Sequence, residues 1–471
     1  MGDATLGIDV GVTGARAAVL SSDGRVLGHG RIACRDMRVG RGRAEHDPAA
    51  WVAEATGAAR AALEGAGLTG VDAITVAALG PAPLIVDRDL VALTPALIFS
   101  LDRRAEPIRR RLAEKLGLGE ADLSSDHCAP KLLWWKEQAP EIWSRAFLAL
   151  DATGFIVTSL TGTPVMDTIT ACDYQAPGLP SPMAVPDPQA PLTVAGGLSA
   201  AAASVLGLPA GTPVTAGTYD SGIDLHRLGA RGLGGAVILM GSTLITAQVV
   251  SDEFPGSHDR GLRTTRLAGG ELAVGGWTST AGMALDWCTA MLGLPPGTTP
   301  SEVAALNPGA GGLLALPYLA GERSPWWDPL ARGAIVGLTQ RTTAAEVYRS
   351  VLDAVALSAR DLVERMSREA PPPDRWRVGG GGVRNPAWLQ ATCDAMGKPF
   401  DVVDETGGVA AAAFAQSARG QEPRPPATRA VLPDMERHVR FTTLFLMYRN
   451  LYPALTETMH LLARLDGQVD A

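Results

Sequence analysis

The chain has 471 residues, 46% hydrophobic and 19% charged, with a formal net charge of -8. That size admits about two to four domains, the hydrophobic share supplies a large core, and the acidic balance leaves no electrostatic footprint for nucleic acid. There is no run of about twenty apolar residues to span a membrane, no signal-peptide pattern at the start, and the cysteines Cys34, Cys128, Cys172, Cys288 and Cys393 form no CxxC pair, which points to a reducing, cytoplasmic setting.

In chain order, Thr5 to Val10 reads as a buried strand. Gly11 to Gly14 can make a tight turn, Ala15 to Leu20 a second strand, Ser21 to Gly24 a second turn, and Val26 and Leu27 a third strand. This is a meander. A dinucleotide fold needs a helix directly after its first glycine turn, so the segment argues against one. A helix follows Pro48 over 49–65, and strands are expected at 71–77 and 84–86. Helices are expected over 103–116, 130–138 and 140–147. The segment 176–191, with six prolines, reads as an irregular excursion. Pro213 to Ala216 is a strand leading into AGTYDSG. Gly235 to Met240, a GST turn and Leu244 to Val250 then repeat the opening pattern of strand, polar turn, strand. Two such units suggest two related domains with a cleft between them. Helices follow at 281–292 and 344–369, a GGGG run stands at 379–382, and 435–465 reads as helix with a break near Pro453.

Several positions carry two readings. Asp9, where a strand meets a glycine turn, suits a hydrated magnesium ion near phosphates or a turn that bonds its own backbone. Asp220 suits a base toward a hydroxyl or a helix cap. Gly241, Ser242 and Thr243 suit a phosphate cradle or an ordinary hairpin turn. The glycines 379–382 suit close approach of a nucleotide base or ribose, or a flexible linker. Asp102 and Arg104 suit hydrogen bonds to the hydroxyls of a polyol or a surface salt bridge. Glu322, Arg323 and Asp328 share a loop with two tryptophans, which suits a sugar-facing loop or tight packing. The histidines, His46 among them, show no metal-ligand spacing. HExxH, the Walker A pattern and the GxSxG elbow are absent.

Taken together, these segments resemble the FGGY carbohydrate kinase family. GIDVGVTGAR at 7–16 is similar to its first phosphate motif, and EHDPAAW at 45–51 to its glutamate-x-aspartate-proline stretch. PALIFSLDRRA at 95–105 resembles the aspartate–arginine segment near the sugar, AGTYDSG at 216–222 the catalytic-base motif and LMGST at 239–243 the second phosphate motif. LPYLAGERSPWWDPLARGAIVGLT at 316–339 is the most specific match. VGGGGVRNPAWLQATCDAMGKP, with ETGGVAAAAFA at 405–415, resembles the adenosine region. Within the family the chain looks most similar to xylulokinase-like members.

The resemblance implies an α/β fold of two actin-like, ribonuclease-H-like domains with an interdomain cleft. Residues 1–230 would form the sugar-binding side and 231–471 the nucleotide-binding side. It implies ATP and Mg2+ as cofactors. Asp220 would be the general base and Asp9 would place the metal. Thr13 and Arg16 would lie near the phosphates, with Gly241, Ser242 and Thr243 facing them from the second domain. Gly380, Gly381 and Asn385 would line the adenosine site, and Asp102 and Arg104 would lie near the sugar. The expected substrate is a pentulose or related ketose. A non-catalytic sugar or nucleotide sensor is the rival reading. The expected partners are a small sugar or polyol and a second copy in a homodimer, without nucleic acid or membrane. The chain departs from the family pattern at Val12, where a threonine is usual, at LGPAPLIVD (79–87), which lacks polar side chains before Asp87, and at Ala410, where glycine is common.

Overall fold

The computed structural model describes residues 4–34, 36–40, 42–119 and 122–465. The chain divides into two compact units. Unit 1 comprises Met1–Arg227, Arg266–Gly270 and Glu405–Pro426; unit 2 comprises Leu228–Thr265, Glu271–Asp404 and Ala427–Ala471.

Unit 1 is organised around a mixed sheet. Strands β1 (Ala4–Gly11), β2 (Gly14–Ser21) and β3 (Val26–Ala33) pair antiparallel in chain order. On its other side β1 pairs parallel with Ala73–Ala78, which pairs parallel with Pro213–Thr215 and with Thr218–Tyr219. Almost all of β1 is buried, whichever way its side chains point. Leu6, Ile8 and Val10 alternate along it with Thr5, Gly7 and Asp9, and burial on both faces keeps both sets out of solvent.

Both faces are covered by helices that lie on bare backbone. Helix α1 (Pro48–Ala66), capped by Asp47, packs across β3. A Cβ at Gly30 would stand 1.9 Å from the Ala58 carbonyl oxygen, and one at Gly28 2.1 Å from that of Ala62. On the opposite face the helix Gly408–Ala418 lies on β1. There a Cβ at Gly7 would stand 2.0 Å from the Ala412 nitrogen and 2.2 Å from the Gly408 oxygen. The Thr5 hydroxyl donates to the Ala412 carbonyl at 2.8 Å. A smaller apolar cluster of Ile85, Leu97, Cys128, Leu132, Trp135 and Tyr174 supports the segments that follow the first parallel strand.

Unit 2 repeats the opening device. Ala236–Met240 and Leu244–Val249 form an antiparallel hairpin, and Trp376–Gly379 pairs parallel with the first of these. Phe400–Val403 extends the sheet in parallel, and Thr428–Val431 closes it antiparallel. The helix Ala344–Glu369 begins with a capping box between Thr343 and Glu346 and runs through the core.

Three elements depart from the sequence expectation. The helix expected from 103 starts at Glu106, after a 3-10 turn at Phe99–Leu101. The Asp102 carboxylate accepts from the Arg104 amide and guanidinium, and such local bonding competes with helix. Strand β3 extends to Ala33, because its glycines mark helix contact and not its end. The break expected near Pro453 does not occur. Met435–Leu465 is one helix, with Tyr448, Tyr452 and Met459 buried along it. Tertiary packing outweighs the hydrogen bond that proline removes.

Gly7→Val tests the contact between β1 and the helix above it. The side chain would have to enter helix backbone, so the variant should lose about 1–3 kcal/mol or more of stability, read by denaturant unfolding. Stability within a few tenths of wild type would show that the helix does not rest on Gly7.

Candidate active site

The carboxyl edges of the parallel strands gather the polar residues. In unit 1, Val10 pairs with Ala78 and Tyr219 with Ala78. Asp9, the Gly80 bend and Asp220 therefore leave the sheet at one edge, where open α/β sheets bind ligands. Asp9 also faces Arg16 across the hairpin register. Asp220 starts the helix Asp220–Leu228, and its Oδ1 accepts from the Ser221 amide at 2.6 Å. The bond is made to the next residue's amide and not to the second or third amide that a helix cap serves, and the residue remains partly exposed.

Asp224 stands one helical turn beyond Asp220, and its Oδ1 accepts from the Gly407 amide at 2.7 Å. Gly407 has φ +65°, and a Cβ there would be 2.8 Å from Asp9 Oδ2. Glycine at 407 therefore lets the chain pass over the carboxylate.

The three carboxyls share an electrostatic problem. Burial, then the charge of Asp220, pushes Asp9 up to about 7, with Arg16 pulling the other way. Burial also raises Asp220, opposed by the Ser221 amide and Arg16. Burial and the Asp9 charge push Asp224 well above the carboxylate range. Like charges held together in partial burial are relieved by a proton or a cation. Hard oxygen donors of this kind suit magnesium, which keeps several of its waters. The donor set thus fits that ion, with Asp9 the principal candidate and Asp224 beside it. Thr13 lies exposed in the turn, and its carbonyl accepts from the Cys34 amide at 3.1 Å.

Asp102 and Arg104 form a closed arrangement. Asp102 accepts from the Ala44 amide at 2.9 Å and from Arg104 Nε at 2.9 and 3.0 Å. Arg104 also donates to Glu45 at 2.7 Å and lies over the Trp134 ring, 5.1 Å from its centroid. The two do form a salt bridge, but a buried one and not the surface pair of the alternative reading. Nearby, Lys131 is buried with its Nζ donating to the carbonyls of Phe99 and Ser125. Burial lowers its pKa, against the pull of Cys128, Asp126, Asp102 and Asp173. Tyr219 donates to Asp173 at 2.6 Å. The LGPAP stretch is packed away: Leu79 and Ala82 are buried, and a Cβ at Gly80 would stand 2.1 Å from the Tyr219 ring.

In unit 2, Leu239 pairs with Gly379 in parallel register. The Gly241–Thr243 turn and the glycine loop consequently emerge at the same edge. Ser242 is exposed, and its carbonyl accepts from the amides of Ala281 and Met283. The buried Glu322 accepts from the amides of Ser279 and Arg323, and burial pushes it up to about 8. It braces the segment that braces the turn.

The four glycines divide by role. Cβ atoms at Gly379, Gly380 and Gly382 would strike Leu228, the Met240 carbonyl and Trp388, at 2.4, 2.5 and 2.3 Å. Gly381 is exposed, and a Cβ there would meet only an Arg384 nitrogen, at 3.4 Å. Asn385 caps the next helix by accepting from Trp388 and donates to Thr299 at 3.0 Å.

Sequence reasoning did not single out Asp224, Gly407, Lys131, Asp173 or Tyr219. A signal existed for Asp224, four residues after Asp220 on one helix face, and for Gly407 in the GG pair of ETGGVA.

Residues 4–177 match the N-terminal domain of the FGGY family of carbohydrate kinases, and residues 235–417 match its C-terminal domain. Xylulose kinase of Escherichia coli (strain K12) is 25% identical over 96% of this chain and 99% of its own length. Glycerol kinase of Aromatoleum aromaticum is 30% identical over 84% of this chain and 85% of its own. The crystal structure of xylulose kinase from Rhodospirillum rubrum superposes with a TM-score of 0.82 at 23% identity, covering 97% of this chain and 100% of that one. Gluconate kinase from Lactobacillus acidophilus gives 0.82 at 20% identity, covering 96% and 98%. These likenesses assign the two-domain actin-like, ribonuclease-H-like α/β fold. With both family domains present in order, and a relative at 30% identity along most of the chain, the protein belongs to the FGGY family of carbohydrate kinases and is an ATP-dependent carbohydrate kinase.

Proposed function

We propose that the protein transfers the ATP γ-phosphate to a hydroxyl of a pentulose or related ketose, with Asp220 as general base. The observation that carries this reading is the convergence of Asp9, Asp220 and Asp224 with Arg16 at one sheet edge. The choice of a ketose rests on the xylulose kinases that match along nearly the whole chain. The packed LGPAP stretch leaves sugar contacts there to backbone and shape.

The reading assigns the sugar side to residues 1–230 and the nucleotide side to residues 231–471. Asp220 accepts the hydroxyl proton as the oxygen bonds to phosphorus. Its raised pKa keeps it nearer to a useful base than an ordinary aspartate. Arg16 and the Thr13 turn offer positive charge and polar groups to phosphate oxygens. Magnesium held by Asp9 would neutralise phosphate charge. Ser242 and Thr243 present donors to the phosphates, and Gly381, with Gly380 and Asn385 shaping the loop beneath it, presents bare backbone to the adenosine. Asp102 and Arg104 act as a fixed wall beside the sugar. Phosphoryl transfer asks mainly for positioning and charge neutralisation, which these groups supply.

Asp220→Asn preserves size and the bond to Ser221 but removes the base. The phosphoryl-transfer step should fall by roughly 10²–10⁴-fold, with ATP and sugar affinities nearly unchanged, in single-turnover measurements on a confirmed ketose substrate. A loss of only about threefold, far under that range, would remove Asp220 from the role. Asp9→Asn should in addition raise the magnesium concentration needed for half-maximal rate; an unchanged requirement would place the ion elsewhere.

The nucleotide assignment has its own test at Gly381, where a side chain meets only the end of Arg384 and the fold should survive. Gly381→Val should weaken ATP binding measured by calorimetry, while sugar binding stays near wild type. Equal ATP affinity would move the adenosine off this loop.

A further inference from the structure

Another group of chemistry-bearing side chains, none of them given a role above, converges in unit 1, with the Cys34 amide on the Thr13 carbonyl and His46 next in sequence to Glu45. Cys34 follows the end of β3, His46 ends the strand Arg43–His46, and Glu54 lies on the second turn of α1. Cys34 Sγ is 3.2 Å from His46 Nε2, and the same nitrogen is 3.9 Å from Glu54 Oε1. One donor atom from each residue lies within 4.8 Å of the other two. His46 and Glu54 are buried, and Cys34 is partly exposed, so the group opens on the sulfur side.

The imidazole is oriented for this role. Its Nδ1 is 2.9 Å from the Asp47 carbonyl oxygen. A carbonyl only accepts, so Nδ1 carries a proton, which leaves Nε2 as the ring atom that faces the sulfur and the carboxylate. Metal-bound histidines are typically held by such a second bond. Trp51 stacks on the ring at 4.9 Å and 12°, fixing its plane.

We propose that Cys34, His46 and Glu54 form a binding site for a zinc-like transition-metal ion, with the fourth position open to water. A thiolate, an imidazole and a carboxylate select zinc or cobalt over magnesium or calcium. Their two negative charges match a divalent cation. Tetrahedral bonds of ordinary length place sulfur and nitrogen about 3.5 Å apart, and nitrogen and oxygen about 3.4 Å apart. The first spacing is nearly met; the second needs Glu54 to move in by roughly half an ångström. Binding the ion releases the thiol proton to solvent. The assignment is independent of the sugar and nucleotide readings.

The full-length chain, stripped with chelator and kept in excess magnesium, is titrated with Co2+ and then Zn2+. One Co2+ per chain should bind with a thiolate-to-cobalt charge-transfer band that Zn2+ abolishes. Cys34→Ser should eliminate the band, and His46→Gln should weaken binding by about tenfold or more. Cys172→Ser, at an exposed cysteine elsewhere, should change neither. Zn2+ should also slow alkylation of Cys34 in the wild-type chain by about tenfold or more, read by peptide mass spectrometry, a measurement that needs no variant to fold. Absence of the band, its persistence in Cys34→Ser, or unprotected Cys34 would each show a purely hydrogen-bonded cluster and overturn the proposal.

Discussion

Gly7 lies directly beneath the helix Gly408–Ala418, and the carboxylates at that sheet edge of unit 1 depend on the approach. The absent side chain lets helix backbone come down onto strand backbone. Once the helix is seated, its preceding residue, Gly407, is fixed above Asp9 with its amide on Asp224. A single close contact between a strand and a helix far apart in sequence thus sets the surroundings of two carboxylates. The alanine run of that helix has the same origin, since larger side chains could not enter the space.

The carboxylates in turn explain why this edge is suited to cations. Burial raises the pKa of Asp9, Asp220 and Asp224, and neighbouring carboxylates push Asp9 and Asp224 up further. Arg16 opposes all three without cancelling them. A protein that gained nothing from this arrangement could replace one aspartate with an apolar residue and be relieved of the repulsion. Its presence is the kind of local cost that accompanies a binding site.

Much of this was legible in the sequence. The meander at 5–27, the strand–turn–strand repeat at 235–250 and the small polar turns announced themselves through glycine placement and apolar runs. Asp9, Asp220 and the Gly241–Thr243 turn stood out because a polar residue ended each strand. Other features were hidden for physical reasons. Asp224 and Gly407 meet only after the chain has folded across more than 180 residues. Four consecutive glycines suggested a ligand surface, yet three of them answer to Leu228, Met240 and Trp388. Cys34, His46 and Glu54 follow no local ligand spacing, because three different elements bring them together. Pro453 misled as a helix breaker because its neighbours' burial was not readable.

The closed arrangement of Asp102, Arg104, Glu45 and Trp134 has a consequence for selectivity. Both Asp102 oxygens and the Arg104 Nε and Nη2 are already directed by the protein, and the guanidinium is held between two carboxylates and an indole face. Such a wall loses little rotamer freedom when a molecule arrives, so the entropic penalty of binding is met during folding. It is also unable to rearrange for a poorly shaped guest. With the pair beside the sugar as proposed, discrimination among sugars of similar polarity would come from steric exclusion, with misfits rejected by collision and not by lost hydrogen bonds.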